Sequence, residues 1–212
     1  MKELSIEKEI NDSVKEKREE RKVTSWQASK LGTCLTGVYL ERLGVPPDED
    51  FTDNILCMFS LGHKYEDWVA ENLAKRHKVE RQPRIEWPEY DLTGYGDILL
   101  DDELVVEVKS ASSVDVIKML KGERTAKVHN QMQLWVALKV LDKEEGRLIY
   151  VSRKAKAEYP VLKKDRWLES KVRNELEILN KAWSEKVAPP MQYENNKWQA
   201  KFCRWHKQCL SQ

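Results

Sequence analysis

Two short apolar runs, 98–100 and 104–108, flank the acidic triplet Asp101-Asp102-Glu103. Runs of this length and β-branched content with turn-forming residues between them specify a β-hairpin. The second run reads Leu104-Val105-Val106-Glu107-Val108-Lys109, so charge interrupts an otherwise apolar strand. Residues two apart in a strand share a face, and Glu107 and Lys109 therefore project together from a strand whose valines imply burial. Asp97 follows Gly94-Tyr95-Gly96 and, with the turn at 101–103, lies across from that pair. Two carboxylates and a lysine then converge on an apolar sheet. Burying them is costly unless they are paired or hold a metal. A divalent cation between Asp97 and Glu107 resolves the cost, and hard carboxylate oxygens favour Mg²⁺ or Mn²⁺. Lys109 is then left to orient a water molecule or to face negative charge developing on a phosphate. Glu-x-Lys alone recurs by chance in any charged chain. The flanking valines make a surface salt bridge a poor account of this one.

Around the hairpin the apolar period is helical. Residues 1–22 are rich in Glu, Lys and Arg with a sparse stripe at Leu4, Ile6, Ile10 and Val14, which reads as a charged N-terminal helix or arm. From Ser25, mostly helical spacing of Ala28, Leu31, Leu35, Val38 and Leu43 predicts a helix that stops at Gly44-Val45-Pro46-Pro47. A second helix is expected over 52–77, carrying His63 and Glu66 three positions apart on one face. A strand near 84–87 is expected to join the hairpin. Beyond a loop at Gly122, a helix over 124–141, strands within 146–153 and 157–163, and an amphipathic helix over 165–186 follow. The expected organisation is an N-terminal arm (1–22), one domain (23–194) and a Cys/His tail (195–212) packing back on the N-terminal helix.

Composition bounds the function classes. With 41% hydrophobic and 34% charged residues, the chain is too apolar for disorder and too polar for a membrane protein. No apolar run approaches the roughly 20 residues needed to span a bilayer, and the first residues lack the apolar centre of a secretory signal. A soluble cytoplasmic protein, or one in host cytoplasm if viral, is the expectation, with no membrane partner. The totals of 37 Lys and Arg against 36 Asp and Glu give +1, which argues against a nucleic-acid partner only until the charge is divided along the chain. Residues 45–108 hold 16 acidic and 6 basic residues, whereas residues 118–166 hold 13 basic and 6 acidic, and 195–212 add four basic residues and no acidic one. An acidic metal-binding segment beside basic segments is compatible with DNA.

Gly62-His63, Asp97, Glu107-Val108-Lys109, and Gln131 four residues before Trp135 together resemble the ordered motifs of the PD-(D/E)XK nuclease superfamily. Within it the chain is similar to the RecB-like exonucleases, including the CRISPR-associated Cas-four group and phage recombination exonucleases. The resemblance covers about residues 25–209. It implies an α/β restriction-endonuclease-like core, a central mixed sheet flanked by helices, and metal-dependent hydrolysis of single- or double-stranded DNA. By that resemblance His63, Asp97 and Glu107 are metal ligands, Lys109 positions the nucleophilic water, and Gln131 organises the site from its helix. Trp135 stands where the family carries Tyr, and Gln133 is a second glutamine whose selection depends on helix register. Glu66 holds a second cation, orients His63, or is a solvated carboxylate. His129 is unassigned.

The cysteines extend the resemblance. Many RecB-like exonucleases hold an iron–sulphur cluster through one Cys of the first helix and a C-terminal Cys-x2-Cys-x5-Cys. Here Cys34 fits the first position and Cys203 and Cys209 the last two, while Ala200 replaces the remaining Cys. A four-ligand cluster then requires His206 or Cys57. A zinc site built from Cys34, Cys203, His206 and Cys209 is chemically sound as well, and so are three plain thiols. Cys57 reads as core. Two readings compete with the nuclease: a non-catalytic nucleic-acid-binding or assembly subunit on the same fold, and a metal-clamped interaction module. The resemblance also admits a homo-oligomer or a recombination or CRISPR partner protein.

Overall fold

The computed structural model describes residues 5–16, 22–190 and 203–210. Among these the helices are α1 (Ile6–Glu16), α2 (Leu35–Leu43), α3 (Asp53–Leu73), α4 (Ser113–Leu120), α5 (Val128–Val140), α6 (Arg166–Glu185) and α7 (His206–Leu210). The strands are β1 (Trp26–Gln27), β2 (Val79–Arg81), β3 (Arg84–Trp87), β4 (Leu92–Tyr95), β5 (Ile98–Leu100), β6 (Leu104–Ser110), β7 (Glu145–Val151) and β8 (Lys156–Leu162). Five strands form a mixed sheet in the order β2-β5-β6-β7-β8, in which β6 and β7 run parallel and the other pairs antiparallel. A smaller sheet has the order β1-β4-β3. The chain is α/β, with helices on both faces of the mixed sheet.

The hairpin turn explains the register of the whole centre. Asp101 and Asp102 have φ of 52° and 60°, and the Glu103 N–H donates to the Leu100 carbonyl at 3.0 Å. Two consecutive left-handed residues closed by that bond twist with the flanking strands, as a tight hairpin requires. Ile98 therefore pairs with Val106 and Leu99 with Val105, and one further step along this register sets Asp97 opposite Glu107. Leu99, Val105, Leu148 and Tyr150 face the main core with α5 and α6, while Ile98, Val106, Val108 and Val151 face Val69 and Ala70 of α3. Helix α5 is buried nearly all round, with Leu134, Val136, Ala137 and Leu138 at 0% exposure, as befits a helix covered by a sheet and by α6. Gly146 permits the close approach, since a Cβ there would lie 2.9 Å from both the Val105 carbonyl oxygen and a Leu134 methyl.

Several expectations are corrected. The stretch expected as one helix from Ser25 is a short strand, a single 3₁₀ turn at Ala28–Lys30, and only then α2. Trp26 there is 0% exposed and pairs with Leu92, so its burial comes from a sheet rather than a helical stripe. Strand β3 does not join the hairpin; it pairs with β4, and β2 occupies the edge beside β5. Helix α4 lies in a stretch to which the sequence reading assigns no element, capped by the Ser112 hydroxyl accepting from the Asp115 N–H. Cys57 is not core: it is half-buried, and its thiol donates to Asn11 Oδ1 of α1 at 3.7 Å. Ala200 and residues 195–202 of the tail lie outside the described residues, as do residues 1–4 and 17–21 of the arm.

Candidate active site

Strand β6 lifts Glu107 and Lys109 to the face that meets α5. Glu107 is fully buried, with 0% of its side chain exposed, and the Lys109 ammonium donates to its Oε1 at 2.6 Å. Asp97, immediately before β5, accepts the Val108 backbone N–H on Oδ2 at 2.6 Å. That bond fixes the Asp97 carboxylate beside the Glu-Lys pair and is invisible to any side-chain motif. The second partner of Lys109 is Gln133, whose Oε1 accepts at 3.0 Å.

The register of α5 thus selects Gln133 over Gln131. Gln131 instead donates its side-chain amide to the Ala126 carbonyl at 3.0 Å, tying down the chain just before α5. Two residues apart on a helix differ by about 200° in direction, so only one of the two can face Lys109. The sequence contains both glutamines, and only the helix start at Val128 decides between them. Trp135 is a core residue whose indole N–H donates to the Lys163 carbonyl at 3.0 Å. His129 lies near enough to Lys109 to be influenced by its charge; burial, with Lys127 and Lys109, lowers its pKa.

Helix α3 supplies the outer wall. His63 is 72% exposed and its Nδ1 lies 3.5 Å from Glu66 Oε2, the i,i+3 contact its spacing predicts. Burial and then the charge of Asp97 push the Glu66 carboxyl up, against the pull of His63 and Lys109. Burial likewise raises Asp97, opposed by Lys109 and the Val108 N–H. Burial and the neighbouring Asp97 charge raise Glu107 to about 8. Burial disfavours the Lys109 ammonium, but Glu107, Asp97 and Glu66 outweigh it, and Lys109 rises above the ordinary lysine value. The site is a cluster of three carboxyls around one ammonium, in which the charge of Asp97 disfavours ionisation of both Glu66 and Glu107.

The donor set suits a divalent cation. Glu107 Oε2 is buried and, among the described residues, makes no hydrogen bond of normal geometry, with only the Asp97 carboxyl close enough to interact; two carboxyls facing each other are a costly arrangement unless a proton or a cation lies between them. Asp97 and Glu66 add oxygen donors of the kind Mg²⁺ and Mn²⁺ prefer. Among the described residues, no three His, Cys, Asp or Glu side chains are already drawn into a ligating cage.

The thiols form a second cluster. The Cys203 thiol donates to Cys34, whose pKa this contact lowers to about 6, and Cys209 also contacts Cys203. Residues 203–210 are fastened to α2 and the loop after it. The Trp205 indole donates to the Val45 carbonyl at 3.0 Å, and the Lys207 N–H donates to Asp48 Oδ2 at 2.6 Å. No described contact brings the His206 side chain to the thiols, and Cys57 lies with α1 instead.

No family model matches the sequence, and no curated protein matches it. Solved structures do match. The crystal structure of SSO0001 aligns with a TM-score of 0.60 at 18% identity, covering 94% of this chain and 93% of that one. An alkaline exonuclease, LHK-Exo from Laribacter hongkongensis, aligns with a TM-score of 0.60 at 12% identity over 84% of this chain and 93% of its own; its complex with dAMP gives 0.61. A phage-related exonuclease from Haemophilus somnus 129PT aligns with a TM-score of 0.55 at 11% identity over 72% of this chain and 80% of that one. The chain shares the α/β fold of these exonuclease structures. The mixed sheet flanked by helices, as expected from the sequence, is present. Among the described residues no helix is long and apolar enough to cross a membrane.

Proposed function

We propose that the protein is a metal-dependent DNA nuclease that hydrolyses phosphodiester bonds, with exonucleolytic cleavage as the principal mode. The observation that carries this reading is the buried Glu107 carboxyl, whose Oε2 has, among the described residues, only the neighbouring Asp97 carboxyl to face, beside a lysine that is itself held by Glu107 and Gln133. A stability role alone gives no reason to set two carboxyls against each other in an apolar sheet. The likeness to two exonucleases, one of them solved with dAMP, supports the same reading.

Asp97 and Glu107 would hold one or two Mg²⁺ or Mn²⁺ ions, with Glu66 and His63 at the outer side. Such a cation neutralises charge on a phosphate and eases loss of a proton from water. The chain's own residues set the rest. Lys109 is held protonated by three carboxylates, so it acts as a donor to oxygen and not as a base. Gln133 fixes its direction, which confines the ammonium to one side of the approaching phosphate. Glu66, raised by burial and by the charge of Asp97, keeps its proton to higher pH than an ordinary glutamate. His63 lies at the exposed rim, 3.5 Å from Glu66.

The test is digestion of end-labelled single- and double-stranded DNA beside a circular substrate, with Mg²⁺ or Mn²⁺. Asp97→Ala and Lys109→Ala are expected to lower cleavage by at least ~100-fold while circular dichroism and DNA binding persist. Cleavage retained by either purified variant refutes the mechanism, and efficient cutting of circles refutes the exonuclease mode.

A further inference from the structure

A cleft of about 540 Å³ opens between α3 and the β7–β8 hairpin, outside the carboxylate cluster. Its volume falls within the ~300–1,000 Å³ typical of ligand sites. Trp68, 45% exposed, and Tyr65 form its aromatic wall, while Lys64, Arg153, Lys154 and Lys156 supply four cations. No Asp or Glu lines it among the described residues. The Lys156 ammonium stands 5.5 Å from the centroid of the Trp68 ring, so charge and π-face are presented together. Arg153 and Lys154 have no acidic partner among the described residues, and Lys64 is only 3.6 Å from Asp67 at the cleft's margin.

The cleft opens at the site's end of the sheet. Val151, in its wall, pairs with Ser110, the residue after Lys109. Adjacent strands are ~4.8 Å apart and successive residues ~3.3 Å, so the wall begins within about 6 Å of the Lys109 backbone. Lys64 and Trp68 are four residues apart on one flank of α3, whereas His63 and Glu66 occupy another. One helix therefore carries site residues and cleft residues on separate flanks.

We propose that this cleft is a subsite for single-stranded nucleic acid, in which an unstacked base lies on Trp68 and neighbouring phosphates meet Lys64, Arg153, Lys154 and Lys156. The inference deepens the nuclease reading and rests on it for the strand's onward course to Lys109. The single-strand choice follows from the aromatic wall: a base inside a duplex has both faces stacked and cannot offer one to a tryptophan, whereas basic grooves with exposed rings suit single strands. An acidic peptide would satisfy the cations and leave the ring unused.

The test is fluorescence anisotropy of a labelled oligothymidine of about 15 nucleotides, within the ~4–16 that such grooves span, with the full chain and Ca²⁺ replacing Mg²⁺. Trp68→Ala is expected to weaken binding by about 5- to 100-fold, Trp68→Phe to restore most of it, and duplex binding to change by less than about twofold. Arg153→Gln with Lys154→Gln is expected to flatten the logarithmic salt dependence by about 1.4. Oligothymidine binding unaltered by Trp68→Ala, equal weakening for single strand and duplex, or competition by polyglutamate as strong as by oligothymidine each overturns the subsite. No binding of oligothymidine by the unmodified chain overturns it too, whatever DNA is cleaved. Trp68-dependent binding without any cleavage in Mg²⁺ or Mn²⁺ leaves the subsite standing and refutes the nuclease reading alone.

Discussion

Replacing Glu107 with Gln should stabilise the metal-free protein in alkaline solution while abolishing cleavage. Glu107 is entirely buried, and burial with the charge of Asp97 moves its pKa from 4.5 to about 8. The folded state therefore holds a proton that the unfolded state has released between pH 4.5 and about 8. Stability falls with pH wherever the native state binds more protons than the unfolded chain. This contribution is fully present below the lower value and is lost as pH rises through the upper one. At about 1.4 kcal/mol per tenfold change, the loss has an upper bound of about 5 kcal/mol. Ion pairing with Lys109 moderates it. Glutamine keeps the volume and the oxygen that accepts from Lys109 but cannot ionise. With EDTA present, urea denaturation should find Glu107→Gln close to the unmodified protein at about pH 5 and more stable by at least ~1 kcal/mol at about pH 9. Mg²⁺ should then favour the unmodified chain, by ~2.7 kcal/mol at a hundredfold excess over its Kd. An offset between the two proteins that is the same at both pH values refutes the argument, because it would show that Glu107 does not titrate with folding.

Gln133→Ala should lower cleavage by about 10-fold or more by freeing Lys109, whereas Gln131→Ala should leave the rate within a few-fold; equal losses in a kinetic assay would refute the register drawn here. Metal analysis of freshly purified full-length protein is expected to find a thiophilic metal that Cys34→Ser loses, since Cys34, with a pKa of about 6, is ready to ligate at neutral pH. Metal-free protein with accessible thiols would refute that. Arg42, buried with its guanidinium 4.2 Å from the ring centroids of both Trp26 and Trp183 and paired with Asp91, should resist conservative change. Arg42→Lys is expected to cost about 1–3 kcal/mol in thermal or chemical denaturation, because a compact ammonium cannot stack between two indoles.

The hairpin and its charges were legible because their signals are local. Strand period, an acidic turn and the two-residue spacing of Glu107 and Lys109 are properties of consecutive residues, and they placed Asp97 opposite the pair before any packing was known. The helices α3, α5 and α6 were legible for the same reason, to within a few residues at their ends. The stretch from Ser25 misled because buried apolar residues at mixed spacing satisfy a helical stripe as readily as a short strand and a turn. What separates the two is Trp26 pairing with Leu92, a contact across 66 positions.

The remaining decisions belonged to the tertiary structure. Which glutamine meets Lys109 depends on where α5 begins and how Gly146 lets it approach the sheet. The Asp97 carboxylate is fixed by the backbone N–H of Val108, a group every residue but proline carries. The cations of the cleft beside Trp68 come from α3 and a hairpin about 90 residues apart, so no spacing announces them. The sequence by itself determined which charges enter the sheet, since that follows from strand period and the cost of burial. Only the packing of α3 and α5 on that sheet decided what those charges face.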